Sequence, residues 1–94
     1  MPTRKSERVS TSRTAIATIP GSDFRVLVRD ISVSGCRLST DSALAKTGST
    51  IIVSLAGLEM ASGQIAWVAD GECGVKFHRP ITEEAVDQIS GAID

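Results

Sequence analysis

Two short motifs near the beginning of the chain carry side chains that can bind a charged ligand. Arg4 and Arg8 form an R-x-x-x-R pair, and a D-x-S-x-x-G segment begins at Asp30, contains Ser32 and ends at Gly35. Guanidinium groups pair bidentately with phosphate and stack on the planes of bases. The other motif adds a carboxylate acceptor, a hydroxyl, and a glycine that lets a ligand approach the backbone.

A guanine ring with phosphate groups matches this set of side chains. Its O6 and N7 atoms accept hydrogen bonds from an arginine fork, which is worth about 1–3 kcal/mol of discrimination. Its N1–H and N2–H₂ groups donate to a carboxylate such as that of Asp30, and the hydroxyl of Ser32 can reach phosphate or base. Gly35 can in addition adopt a positive φ. We therefore expect a ligand-binding module rather than an enzyme.

The chain lacks the side chains that common catalytic centres need. His78 is the sole histidine, so no set of nucleophile, base and orienting group can be assembled. Cys36 and Cys73 lack C-x-x-C spacing and supply too few ligands for zinc, and they are typical of small apolar core residues. We expect no catalytic residue, no metal ion and no cofactor.

Composition and charge predict one small globular domain with a basic arm. The chain has 94 residues, of which 41% are hydrophobic, and no apolar run approaches the roughly 18 residues of a membrane span. No apolar segment follows the basic N-terminus, so we expect a cytoplasmic location. Residues 1–13 hold four basic side chains and one acidic one, whereas the whole chain has a net charge of −1. This asymmetry suggests that residues 1–13 are a flexible arm for an anionic partner, although charge alone favours an ordinary solvated tail.

The region after the arm predicts β-structure. Short segments of alternating hydrophobicity are separated by turn signals at Pro20-Gly21 and Asp70-Gly71, and residues 40–47 predict a loop or one helical turn. This spacing indicates a small antiparallel barrel or sandwich, and closing the sheet would remove its exposed edges. The predicted strands are residues 14–19, 24–30, 36–39, 49–55, 57–61, 63–68 and 74–78.

The C-terminal residues change to a helical period. Thr82 can cap a helix that begins with Glu83-Glu84, where acidic side chains favour the positive end of the helix dipole. We predict a helix over residues 82–93 that packs on the barrel. Its apolar face consists of Val86, Ile89 and Ile93.

With the two motifs in this order around one strand, the sequence resembles the PilZ domain, a bacterial receptor for cyclic di-GMP. The resemblance extends through residues 63–67 and 74–77 to the closing helix, so it covers nearly the whole chain. It implies a six-stranded antiparallel β-barrel over residues 14–94, with the basic arm folding across the ligand. Carried over by position, the ligand-binding residues are Arg4, Arg8, Asp30, Ser32 and Gly35.

The resemblance implies a receptor that passes its signal to a partner protein in trans, without catalysis and without inserting into a membrane. Two alternatives stay open, namely a barrel that serves as an adaptor without any ligand, and a binder of single-stranded nucleic acid. The second is disfavoured because aromatic residues make up only 3% of the chain. Arg13, Arg37 and Trp67 are further candidates for ligand contact, although the two arginines also fit solvated surface positions and Trp67 fits the core or rim of the barrel.

Overall fold

The computed structural model describes residues 9–40, 45–55 and 58–90, which form six β-strands and one α-helix. All paired strands are antiparallel, and the order β1-β2-β3-β6-β5-β4 closes into a barrel because β4 also pairs with β1. The predicted six-stranded barrel with a C-terminal helix is thereby confirmed. The strands are β1 (Val9–Ile19), β2 (Ser22–Ile31), β3 (Gly35–Ser39), β4 (Thr50–Leu55), β5 (Leu58–Ala69) and β6 (Glu72–Phe77).

The barrel interior is filled by the apolar residues of the alternating strands. Successive side chains of a strand point to opposite faces, so every second residue enters the core. Cys36 and Cys73 are both fully buried as free thiols, which confirms their prediction as small core residues. The largest fully buried apolar side chains are Val28, Ile31, Leu38, Ile51, Val53 and Ile65.

Two strands, β1 and β5, differ from their predicted extents by more than two residues. β1 begins at Val9 rather than at residue 14, because its polar first residues pair with the end of β2, where Ser10 lies opposite Asp30. Residues 9–13 of the predicted arm therefore lie in a strand, and residues 1–8 lie outside the described part. β5 is one continuous strand where two were predicted. Gly63 in its middle allows close packing, since a Cβ atom there would lie 2.2 Å from the carbonyl oxygen of Lys76.

Both predicted turns are present. Gly21 has a φ of 86° in the turn between β1 and β2. Asp70 and Gly71 join β5 to β6 with φ values of 53° and 79°, and two successive positive φ values are typical of a tight type I′ hairpin. Within the predicted 40–47 loop, residues 41–44 lie outside the described residues.

Helix α1 (Glu83–Ser90) packs against β1 and β2. The backbone N–H of Ala85 donates to Thr82 Oγ1 at 3.0 Å, which confirms the predicted N-cap. Val86 and Ile89 are buried as predicted, while Ile93 and the predicted last turn lie outside the described residues. Within the described ranges, no helix has the length and apolar character needed to cross a membrane.

Candidate ligand-binding site

The D-x-S-x-x-G segment forms the connection between β2 and β3. Asp30 is near the end of β2, Gly35 begins β3, and residues 32–34 make the turn. The backbone N–H of Ser32 donates to the carbonyl of Gly35 at 2.8 Å, which closes the turn. The motif residues are therefore held together by the strand pairing of β2 with β3.

Ser32 stabilises the turn from within. Its side chain is 1% exposed, and its hydroxyl lies 3.3 Å from the carbonyl oxygen of Gly35, to which it donates. The Ser32 hydroxyl oxygen in turn accepts from the backbone N–H of Ser34 at 3.3 Å and lies 3.2 Å from the hydroxyl of Ser34. Ser34 is exposed, so its hydroxyl is the one that this turn presents to solvent.

Gly35 is needed for a reason that differs from the sequence expectation. Its φ does not lie in the positive region, so the positive φ that a glycine can adopt is not used at this position. A Cβ atom at this position would lie 2.3 Å from the carbonyl oxygen of Val75 on the neighbouring strand β6. The side-chain hydrogen of glycine is therefore what allows β3 and β6 to approach each other beside the turn.

The turn is also bonded to the elements that follow β6. The carbonyl of Ser34 accepts from the N–H of Phe77 at 2.9 Å, and the carbonyl of Val33 accepts from the N–H of Ile81 at 2.8 Å. Ile81 precedes the cap of α1, so the turn, the end of β6 and the beginning of the helix are connected by backbone hydrogen bonds. This arrangement fixes the position of the motif in the barrel.

Asp30 lies opposite Arg37 in the β2–β3 pairing and forms an ion pair with it. Arg37 Nε lies 3.0 Å from Asp30 Oδ2, but this buried Nε makes no aligned hydrogen bond within the described part of the chain, so the contact is mainly electrostatic. Arg37 Nη1 lies 3.4 Å from Glu72 Oε1, with the geometry of a hydrogen bond. The Arg37 side chain thus joins carboxylates on two neighbouring strands.

A cleft of about 250 Å³ opens beside the motif on the outer face of β3, β6 and β5. The indole ring of Trp67 lies against Gly74, where a Cβ atom would be 2.1 Å from Nε1, and the indole is 42% exposed. Trp67 is therefore a surface residue at the rim of this cleft. The lining consists of Ser34, Gly35, Ala66, Trp67, Gly74, Val75 and Lys76.

Sequence reasoning did not include Gly74 and Lys76 among the candidate residues. Both lie on β6, where Lys76 is paired with Gly35 and Gly74 is paired with Arg37. These pairings join residues about 40 positions apart, so only the strand register places them next to the motif. The earlier signal was the likeness of residues 74–77 to a late strand of the PilZ domain.

Three further observations concern the chemistry outside this cleft. A larger depression of about 380 Å³ around Arg25 and Thr40 contains no residue of the D-x-S-x-x-G motif, so the smaller cleft is the better candidate. Burial raises the pKa of the Cys73 thiol, because desolvation disfavours the thiolate. Within the described ranges, no group of three or more His, Cys, Asp and Glu residues could hold a metal ion.

The predicted arginine pair lies outside the described residues, since Arg4 and Arg8 both precede Val9. The first described residue, Val9, is paired with Ile31, which is the residue immediately before Ser32. The start of β1 therefore lies beside the D-x-S-x-x-G turn. Of the other two candidate arginines, Arg13 is exposed on β1 and Arg37 is the ion-paired residue described above.

The comparisons with known proteins assign the family. The sequence model of the PilZ domain matches residues 2–93, so this chain belongs to the PilZ domain family, as its motifs predicted. A search of curated proteins gives no match. Among solved structures, the fold is similar to that of the Borreliella burgdorferi PlzA protein, crystallised in complex with c-di-GMP, with a TM-score of 0.70 and 16% sequence identity. That alignment covers 94% of this chain and 41% of the PlzA chain.

Proposed function

We propose that this protein is a receptor for cyclic di-GMP that acts by binding and not by catalysis. The observation that carries the proposal is the position of the D-x-S-x-x-G turn, which is fixed by neighbouring elements and adjoins an open cleft. Membership in the PilZ domain family and the similarity to the fold of PlzA, which was crystallised with c-di-GMP, support the same ligand. The proposed site residues are Arg4, Arg8, Asp30, Ser32 and Gly35.

The proposed arm approaches the ligand from the beginning of β1. Val9, the residue that follows Arg8 in the chain, is paired with Ile31 beside the turn, which supports Arg8 as a proposed contact. Arg4 precedes Arg8 by four residues, a spacing at which both guanidinium groups can reach one ligand. We propose that the two arginines bind guanine and phosphate groups, for which the planar guanidinium fork is suited.

The cleft supplies the barrel side of the proposed site. The carboxylate of Asp30 would accept from the Watson–Crick edge of a guanine, while Ser32 keeps the turn in shape and Gly35 leaves the cleft open to the ligand. The exposed indole of Trp67 offers a surface on which a base can stack, an interaction worth about 1–3 kcal/mol. Lys76 adds a positive charge for the phosphates at the same cleft.

We propose that ligand binding changes the surface of the receptor and that a partner protein recognises the changed surface. The dianionic ligand would neutralise the basic arm and order it over the cleft, at an entropic cost that the contacts must exceed. Micromolar affinity corresponds to about −8 kcal/mol in total, which a few charge-assisted contacts and one stacked base can supply. The receptor would then present a surface formed by both the arm and the barrel.

A ligand titration tests this proposal. Unfolding temperature should rise with cyclic di-GMP concentration, since ligand bound to the folded state stabilises it by mass action. Calorimetry should give measurable affinity for the wild-type chain and none for Arg8→Ala or Asp30→Ala. Arg25→Ala is the matched control, because it removes an exposed arginine outside the cleft and should leave affinity unchanged.

The same titration separates the alternatives. If millimolar cyclic di-GMP does not change the unfolding temperature, the chain would be an adaptor barrel that does not bind this ligand. Salt-dependent retardation of an RNA oligomer on a gel would instead favour binding of single-stranded nucleic acid. Wild-type affinity in both the Arg8→Ala and Asp30→Ala variants would show that the site residues are wrong even if the ligand is right.

A further inference from the structure

Arg37 lies between two carboxylates on the outer face of the barrel. Its partner Asp30 is on β2 and its partner Glu72 is on β6, at N–O distances of 3.0 and 3.4 Å. The Asp30 side chain is only 13% exposed, whereas that of Arg37 is 41% exposed. The ion pair therefore lies at the boundary between the packed wall of the barrel and solvent, where charges are screened less than on an open surface.

The strand register restricts this group of three side chains. Arg37 is directly opposite Asp30 on one side and Gly74 on the other, and Gly74 has no side chain to compete for the space. The two carboxylates contact different nitrogen atoms of one guanidinium group: Nε is close to Asp30 electrostatically, and Nη1 donates to Glu72. A planar guanidinium with separate nitrogen atoms can do this, whereas the single ammonium of a lysine is a point charge.

Resting on the proposed cyclic di-GMP function, we propose that Arg37 is a positioning residue that fixes the carboxylate of Asp30 for guanine. Contact of Oδ2 with Arg37 at 3.0 Å restrains the orientation in which the carboxylate would meet the N1–H and N2–H₂ donors of a guanine. Glu72 restrains the guanidinium from the other side. Without Arg37, the carboxylate would lose this contact, and more of the binding free energy would be spent on orienting it.

The experiment is a double-mutant cycle on Asp30 and Arg37, measured by calorimetry or ligand-observed NMR up to millimolar cyclic di-GMP. Arg37→Ala alone should weaken binding about tenfold, equal to about 1.4 kcal/mol, with the fold intact by circular dichroism. In an Asp30→Asn background, the same Arg37→Ala change should have little further effect, because residues in contact couple. Arg37→Lys should give an intermediate affinity, and Arg25→Ala serves again as the charge-matched control.

Base selectivity supplies a readout that a purely structural role would not change. Adenine lacks the N1–H and N2–H₂ donors that the Asp30 carboxylate recognises, so Arg37→Ala should lower the preference for cyclic di-GMP over cyclic di-AMP. An equal loss of affinity for both ligands, with additive effects in the cycle, would mean that Arg37 contacts phosphate directly and would overturn the proposal. Unchanged affinity in Arg37→Ala would overturn it as well.

A crystal structure of the Arg37→Ala variant decides the question if the Asp30→Asn background binds too weakly for the cycle. The Asp30 carboxylate should leave its wild-type rotamer, and retention of that rotamer would overturn the proposal. Failure of the wild-type chain to bind cyclic di-GMP would instead refute the proposed function itself. The two failures are therefore distinguished by the wild-type titration.

Discussion

Two turns of this barrel join neighbouring elements in very different ways. The turn between β2 and β3 has a buried serine, side-chain hydrogen bonds, and carbonyl groups that accept from Phe77 and Ile81. The Asp70-Gly71 turn between β5 and β6 is exposed and has two positive φ values. Its Gly71 carbonyl accepts from the N–H of Thr40 at 2.8 Å.

The difference indicates which turn has a role beyond connecting strands. A tight hairpin needs only residues that tolerate positive φ, and Asp-Gly supplies them locally. The β2–β3 turn instead depends on contacts with β6 and with the beginning of α1, so its sequence is restricted by tertiary neighbours. A turn held in this way can present Asp30 and Ser34 beside the cleft in one fixed arrangement.

The largest contrast should come from adding a methyl group to each turn glycine. Gly35→Ala forces a Cβ atom to within 2.3 Å of the Val75 carbonyl, so β3 and β6 must separate, with a loss of ~3 kcal/mol in unfolding free energy. Gly71→Ala meets no atom within 4 Å and incurs only the strain of a φ of 79°, about 1 kcal/mol. Urea denaturation measures both, and equal losses would contradict the comparison.

A smaller contrast should come from the polar side chains of the two turns. Ser32→Ala removes the hydroxyl that accepts from the N–H of Ser34, so we expect a loss of about 1–2 kcal/mol in unfolding free energy. Asp70→Asn should change it by less than about 0.5 kcal/mol, because asparagine tolerates positive φ. Chemical denaturation of both variants is the measurement, and a neutral Ser32→Ala would mean that the hydroxyl does not stabilise the turn.

The strand after the β5–β6 turn offers a test of the cleft without a large cost in stability. Gly74→Ala places a Cβ atom 2.1 Å from Trp67 Nε1, and the indole can move away because it is on the surface. We expect a loss below about 1 kcal/mol, with tryptophan emission shifted to longer wavelength as the ring enters water. The chain has one tryptophan, so the spectrum reports on Trp67 alone.

An unchanged emission spectrum for Gly74→Ala would mean that the indole does not rest on Gly74. Gln64→Ala is a suitable control, because this exposed residue on β5 lies opposite Lys76 and outside the lining of the cleft. If the cleft binds the ligand as proposed, Gly74→Ala should weaken cyclic di-GMP binding while Gln64→Ala should not.

The smallest expected effect concerns the buried thiol on the same strand. The pKa of Cys73 is raised from 9.0 by desolvation, so the folded state favours the protonated thiol. This contribution to stability is fully present below about pH 9 and is lost as the pH rises through the folded pKa. The urea midpoint should therefore fall as the pH is raised above about 9, and fall less in Cys73→Ala. Equal slopes would contradict the prediction.

Much of the architecture could be predicted from local patterns. Alternating hydrophobicity predicted the strands, Pro20-Gly21 and Asp70-Gly71 predicted the turns, and Thr82 predicted the beginning of the helix. The extent of β1 could not be predicted in this way, because Ser10 to Arg13 have no apolar alternation and are strand only through pairing with β2. The candidate site was predicted in part, since its motif residues are local but Gly74 and Lys76 join them through the register of β6.

The sequence alone determined the family and the motif. The spacing of Asp30, Ser32 and Gly35 is a local property of the sequence, so it can be identified without knowing which strands pair. Tertiary structure decided what those residues do within the fold, because a buried hydroxyl, a close carbonyl and an opposed arginine all depend on how β2, β3 and β6 pair. Gly35 illustrates the point, since its need for a hydrogen side chain arises from the carbonyl of Val75, 40 residues later in the chain.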